Sequence, residues 1–418
     1  MIRNHAGPLA GLKVIDLTHV MAGPVCTLLL ADLGAEVIKV ERPPEGDDSR
    51  HMAPPHIGDQ SAAYLIVNRH KRGIVLNLKH ESGREALLRL LEKADVLVEN
   101  YRGGTLEKLG LGYEQLSERF PSLIWCSISG YGRTGPYADR PGFDLMAQAM
   151  SGIMSFTGEG PGRPPVKTGA PVADITAGIL GALGVAAAVA HRQRTGEGQR
   201  VETSLFEAAI THTFWQSAIC FATGTSPGPL GSAHPLDAPY QAFQTSDGWV
   251  VIGAANQANW LRFVNAIDRR DFADDPRFRS NVERMRHFDA LIAAVTPELR
   301  KRSTQEWMAI LDAAGVPVSP VLTVGEMHKD PQAIARGMIA EVEHSALGRL
   351  KTLGNPLKFS KTGGELGAGA PVLGEHTREI LLELGYGAAE IDRLVAAGAV
   401  QCLGSGGGQA HQMRDNVL

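Results

Sequence analysis

The 418-residue chain predicts an α/β protein, with a doubly wound parallel sheet in a large domain and a smaller α+β domain beside it. Three observations carry this. Short apolar runs are continuous rather than alternating, as strands covered on both faces require. Helical segments separate them, which is the βαβ pattern. The Gly- and Pro-rich stretch TGTSPGPLGSAHPLDAPY then divides this pattern from a region that carries a hairpin signal.

In order, residues 12–17 (LKVIDL) read as a buried strand, MAGPVCTLLLADLG as a turn and helix, and AEVIKVE as a second buried strand. The pattern repeats in the helix ESGREALLRLLEKA, the strand DVLVEN, the helical patch TLEKLGLGYEQLSERF and the strand SLIWCSIS. Ligands of such a sheet sit beyond the carboxyl ends of its strands, where ERPPEGDDSR, ENYRGG and SGYGRTGPYADRPG emerge. Helices dominate from Pro141 to about Ala222. QAFQTSDGWVVIGA reads as a hairpin turning at Ser246-Asp247-Gly248, and GVPVSPVL as a further strand. The domains are set at 1–225 (large, first part), 226–325 (small) and 326–418 (return to the large domain, then a tail containing GSGGGQ).

Composition excludes several classes. With 41 basic and 45 acidic residues the formal charge is -4, so no global basic field recruits nucleic acid or an anionic membrane. The four cysteines lie far apart without a CxxC pair, which disfavours a zinc site or disulfide framework and suits a reducing cytoplasm. The N-terminal stretch has no basic segment leading into an apolar core, and no run reads as long enough for a membrane span. A cytoplasmic protein is expected. His191, His212, His234 and His344 lack metal-ligand spacing, so no metal is expected, and neither a GxSxG elbow nor a P-loop occurs. The turn Ala22-Gly23-Pro24 lies where a dinucleotide-binding protein carries GxGxxG and does not match it.

Two cationic features are ambiguous. Arg42 ends the second strand, and NRHKR (Asn68–Arg72) gathers three cations and a histidine; both suit phosphates, and both suit a solvated surface. Asp174 is the strongest single residue. In KTGAPVADITAGILGALGVAAAV it ends a polar loop and enters a helix without another charge until His191 and Arg192. It reads as an N-cap or as a nucleophile, and at a helix N-terminus it is expected to keep a low pKa and stay ionised at neutral pH.

Several ordered blocks resemble the family III CoA-transferases, the group of formyl-CoA transferase and carnitine CoA-transferase, over nearly the whole length. They are GLKVIDLTHVMAGPVCTLLLADLGAEVIKVERP, NRHKRGIVLNLK, ADVLVENYRGGTLEKLGLGYEQL, SISGYGRTGP and TGAPVADITAGILGALGVAAAVAHRQRTGEGQRVE, with GSAHPLDAPYQAFQTSDGW and LGEHTREIL agreeing further on. The resemblance implies a Rossmann-like large domain, an interlocked homodimer, and coenzyme A entering as an acyl-CoA substrate. It places the aspartate nucleophile at Asp174 and CoA contacts at Val20, Arg42, Leu76, Asn77, Asn100, Tyr101 and Lys108. The implied reaction moves CoA from a thioester to a small carboxylic acid through an aspartyl anhydride and an aspartyl-CoA thioester.

Departures narrow the substrate. Met21 stands where formyl-CoA:oxalate transferases carry Gln, which makes oxalate a poor guess. GSAHP with APYQAF is more like transferases of succinyl-CoA or other dicarboxylic acids, with His234, Arg163 or Lys167 as candidate counter-charges. GPLGSAHP, around Gly228 and Gly231, is a candidate lid or oxyanion-donor loop. Two alternatives are an α-methylacyl-CoA racemase-like enzyme and a non-catalytic CoA-binding protein. The first is disfavoured because its histidine position is Phe143, although Asp144 follows it.

Overall fold

A computed structural model describes residues 7–363 and 366–404; GSGGGQ, apart from its first residue Gly404, lies outside the described residues. The chain divides into two compact units. One comprises Met1–Ile153, Thr168–Phe214 and Ile334–Leu418, the other Met154–Lys167 and Trp215–Ala333. The expected small domain, 226–325, falls within the second unit, which begins earlier and takes in Met154–Lys167 as well.

The first unit holds a seven-stranded sheet. Its parallel strands are β1 (Lys13–Asp16), β2 (Glu36–Glu41), β3 (Lys71–Leu76), β4 (Val96–Glu99), β5 (Ile124–Ser129) and β6 (Arg200–Ser204), with β12 (Val400–Gln401) antiparallel on the edge beside β3. The spatial order is β12-β3-β2-β1-β4-β5-β6. Chain direction across the sheet therefore reverses between β1 and β4, and a crevice opens there beyond the strand ends. Strands β1, β4 and β5 are almost wholly buried, which explains their continuous apolar runs.

Strand β3 corrects the reading of NRHKR. Neither a phosphate patch nor a solvated face, this segment enters the sheet, and all six residues of Lys71–Leu76 are buried. Its cations are held by distant acids. Arg69 pairs with Asp32, Lys71 Nζ lies 3.1 Å from Asp16 Oδ2, and Arg72 meets Glu36, Glu379 and Glu383 at 3.1, 2.7 and 2.7 Å.

Helix α1 (Ala22–Asp32) follows β1, and the long helix α4 (Val172–Thr195) packs across it, with α3 (Asp144–Met150) and α5 (Leu205–Thr211) alongside. Small residues make this contact possible. A Cβ on Gly178 would fall 2.7 Å from the Ala22 carbonyl oxygen and 2.8 Å from Val25 Cγ1; one on Gly181 would fall 3.0 Å from Ile128 Cδ1 and 3.1 Å from Cys26 Sγ. Gly196, at φ +79°, ends the helix in the left-handed conformation that glycine adopts freely. The sequence reading counted no run as long as a membrane span, and the structure corrects this: α4 is 24 residues long and apolar enough, by length and composition, to cross one. Its composition has another cause here. One face, from Ala177 and Gly178 to Ala188 and Val189, is buried against α1 and the sheet.

In the second unit, Tyr240–Gln244 (β7), Trp249–Gly253 (β8) and Val318–Pro320 (β9) form the expected hairpin and an added antiparallel strand. Helices close over them on an aromatic core that includes Trp260, Phe263 and Phe278. In the first unit, Ile339–His344 (β10) and Gly348–Leu353 (β11) form a separate ribbon.

Candidate active site

A cavity of about 210 Å³ opens where the sheet order reverses. The turn after β1 (His19–Ala22), the loop after β4 (Asn100–Gly103), the strand end and loop after β5, and Asp174 line it. Val20, Asn100, Tyr101 and Asp174 thus meet at one place.

Local geometry explains why Asp174 is available. It is the third residue of α4, and on a helix it shares a face with Gly178 and Gly181, so it stands one turn ahead of the stripe that packs on α1. The N-cap residue is Pro171, which has no N–H, so Asp174 cannot close a capping box by reaching back. The cap comes from Asp144 instead. Its Oδ1 accepts from the Ala173 and Asp174 N–H groups at 2.9 and 3.4 Å, and its Oδ2 from Gln148 Nε2 at 2.6 Å. Gln148 Oε1 in turn accepts from the Thr168 N–H at 2.9 Å, tying down the segment that leads into α4.

The Asp174 carboxylate is half-buried and has no hydrogen bond among the described residues. Burial, and then the charge of Asp144, push its pKa up to about 7. Two expectations are corrected here. Asp174 is not the cap, and it is not a firmly ionised carboxylate at neutral pH. The N-terminal dipole is met by Asp144, while Asp174 loses hydration without gaining a donor.

The turn after β1 is unusual in another way. Val20 has φ +70°, a region that costs a β-branched residue about 1–3 kcal/mol and persists only where the surroundings over-determine it. Asn100 does part of this. Its Oδ1 accepts from the His19 N–H at 3.0 Å and its Nδ2 donates to the His19 carbonyl at 2.9 Å, so its amide is engaged in holding the turn. Tyr101 packs its ring 5.6 Å from that of His19, and burial pushes its phenol up to about 12.

The other positions implied by the resemblance do not line this cavity. Arg42 pairs with Asp48, whose other oxygen lies 3.3 Å from His19 Nδ1, so it reaches the cavity wall through two residues. Leu76 is buried in the core at the end of β3, and Asn77 Nδ2 donates to the Gly398 carbonyl at 3.1 Å. Lys108 is exposed on a short turn, Glu107–Leu109. The candidate counter-charges Arg163, Lys167 and His234, and the loop around Gly228 and Gly231, belong to the second unit. The cations that do line the cavity are Arg102 and Arg140, with His19 on its wall and the Arg140 guanidinium 4.1 Å over the Tyr137 ring. Sequence reasoning located their loops at the strand ends without singling them out. Phe143 lines the cavity too and is 66% exposed. Among the described residues no group of three or more His, Cys, Asp or Glu could hold a metal ion.

Comparison with known proteins agrees with this geometry. The family model of CoA-transferase family III matches residues 9–377. The chain is 36% identical to the human succinyl-CoA:glutarate CoA-transferase over 95% of its own length and 91% of that protein's. It is 43% identical to an acetyl-CoA:oxalate CoA-transferase of Acetobacter aceti, over 85% of this chain and 90% of that one. The crystal structure of a CAIB/BAIF family protein from Brucella suis superposes with a TM-score of 0.81 at 39% identity, covering 90% of this chain and 99% of that chain. With a half-buried aspartate in a cavity at the sheet's reversal point, and these matches along nearly its full length, the chain belongs to CoA-transferase family III.

Proposed function

We propose that the enzyme moves CoA from an acyl-CoA thioester to a small carboxylic acid, with Asp174 as the nucleophile. The supporting observation is the unbonded Asp174 carboxylate in the cavity, left free because Asp144 caps the helix. In its ionised form Asp174 attacks the thioester carbonyl; the C–S bond breaks and CoA thiolate leaves an aspartyl anhydride. The thiolate then attacks the Asp174 carbonyl carbon, releasing the donor acid and leaving an aspartyl-CoA thioester. An acceptor carboxylate repeats the two steps in reverse, so one thioester replaces another and no ATP is consumed. Both intermediates hydrolyse in water, which favours a recessed site.

Val20, Asn100 and Tyr101 are the CoA contacts that this cavity supports, Asn100 through the turn it holds. Arg42, Leu76, Asn77 and Lys108 would serve the remainder of a long substrate. The acid is dicarboxylic in this reading. Arg102 and Arg140 offer counter-charges at the cavity, and the acids in the relatives' names, glutarate and oxalate, each carry two carboxyl groups. Met21 still argues against oxalate.

The Rossmann-like description of the large domain is supported by the order β3-β2-β1-β4-β5-β6. A homodimer is supported by apolar side chains left outward on α3, α4 and α5, including Met146, Met150, Ile179 and Leu183 at 42–64% exposure. A cytoplasmic setting is supported by four cysteines of which none forms a disulfide.

The test is incubation of the purified protein with a panel of acyl-CoAs and free acids, reading new CoA esters by mass, followed by hydroxylamine trapping at Asp174. Transfer without a modified Asp174 would refute its role as the nucleophile. The racemase alternative fails on Phe143, a hydrocarbon ring that carries no proton, and deuterium uptake at the α-carbon of a 2-methylacyl-CoA without acceptor acid would restore it.

A further inference from the structure

Three residues of the turn after β1, Thr18 to Val20, have their backbone polar groups taken up by side chains from the end of β1, from β2 and the loop after it, and from the loop after β4. Asp16 Oδ1 accepts from the Thr18 N–H at 2.8 Å, and Lys39 Nζ donates to the Thr18 carbonyl at 2.8 Å. Asn100 clasps His19, and Asp47 Oδ1 accepts from the Val20 N–H at 3.0 Å. Lys39 and Asp47 form an ion pair at 2.8 Å, with side chains 0% and 1% exposed. Asp47 is fixed in its own right. Its Oδ1 also accepts from the N–H and Oγ of Ser49, both at 2.8 Å, and its N–H donates to Glu41 Oε2 at 2.9 Å.

Neither Lys39 nor Asp47 lines the cavity, so neither touches what binds there. A buried pair of opposite charges is weak evidence for stability, because desolvation offsets much of the attraction; register is its better-attested use. Here the register is visible. Between them the two side chains bind the Thr18 carbonyl and the Val20 N–H on either side of His19, and the second of these groups belongs to the residue held at φ +70°. Glycine would adopt that backbone freely, yet the position, which lines the cavity, carries a β-branched residue.

The geometry points to Asp47 and Lys39 as positioning residues for the acyl-CoA site: acting through the left-handed turn at Val20, they set the cavity wall formed by His19, Val20 and Met21. This rests on the CoA-transfer reading above.

The test is a double-mutant cycle on the full chain, with steady-state transfer from succinyl-CoA to glutarate, calorimetric binding of free CoA, and thermal melting. Asp47→Ala and Lys39→Met are each expected to raise the KM for succinyl-CoA and the Kd for CoA by about an order of magnitude. Val20→Gly is expected to do the same while melting no lower than wild type, which simple destabilisation would not give. The combination of Asp47→Ala with Val20→Gly should weaken binding no further than the worse single variant, because both act on one turn. If Asp47→Ala fails to fold, Asp47→Asn, which keeps an oxygen for the Val20 N–H, enters the same cycle. A wild type that neither binds CoA nor transfers it takes down both readings. An active wild type whose Asp47 variants keep the parent KM and Kd, or whose effects multiply with those of Val20→Gly, overturns the positioning role alone.

Discussion

Two carboxylate environments lie at the same end of one sheet. Under the turn after β1, Asp16 and Asp47 are buried among Lys39 and Lys71; burial alone would raise both acids, but the lysines hold them below the usual carboxylate range. At the head of α4, Asp174 is less deeply buried and, among the described residues, has no hydrogen-bond donor or ion-pair partner, so burial and the neighbouring Asp144 raise it. Depth of burial does not explain the difference, since the more deeply buried acids are the ones held low. The presence of a partner does, and it decides which acids are held ionised inside the frame and which one stands without a counter-charge in the cavity.

The largest effect that would break this contrast comes from Asp174 itself. Asp174→Ala should abolish CoA transfer while the protein melts cooperatively, as followed by mass-resolved turnover and calorimetry. A mere cap would lose only about 1 kcal/mol of stability. Asp174→Asn adds a pH signature. Because the folded pKa of Asp174 is raised, its protonated form contributes stability that is present below about pH 4 and lost as pH rises through about 7. The variant should therefore melt like wild type near pH 4 and above it at pH 8.

On the paired side, Asp16→Asn leaves Lys71 and Lys39 buried with less compensation and should cost about 3–5 kcal/mol in denaturant unfolding. Smaller is the effect of Gly178→Ala. Its methyl would meet the Ala22 carbonyl at 2.7 Å, and overpacking of this kind costs about 1–3 kcal/mol, read as a lowered unfolding midpoint. The smallest and most selective is Asp144→Asn. The amide oxygen can still accept from the Ala173 and Asp174 N–H groups, but the like charge is gone. Transfer activity should rise with pH through about 7 in wild type, and this acid limb should move down by up to roughly one pH unit in the variant. An unmoved limb would assign the pKa to burial alone.

Much of the sheet was legible because β1, β2, β4 and β5 are continuous apolar runs whose neighbours in sequence are also neighbours in space. Strand β3 was not, since Lys71 and Arg72 read as solvent-facing charges. What neutralises Arg72 is Glu379 and Glu383, some three hundred residues away, and local pattern carries no trace of such partners. The site divides in the same way. Asp174 stood out as a lone acid before an apolar helix, whereas its raised pKa depends on its burial in the fold and then on Asp144, thirty residues earlier, which also takes the capping role. Val20 gave no warning of its left-handed backbone because it is not glycine, and the residues that hold the turn come from three separate strands and the loops after them.

The glycine face of α4 has a mechanical consequence. With no room for a methyl group between Gly178 and the start of α1, the helix that carries Asp174 and the turn that carries Val20 behave as a single strut: neither can be shifted without displacing the other. Redesign of the acid that the enzyme accepts is therefore best directed at the rim, at Arg102, Arg140 or Phe143, where side chains can be exchanged without moving the frame.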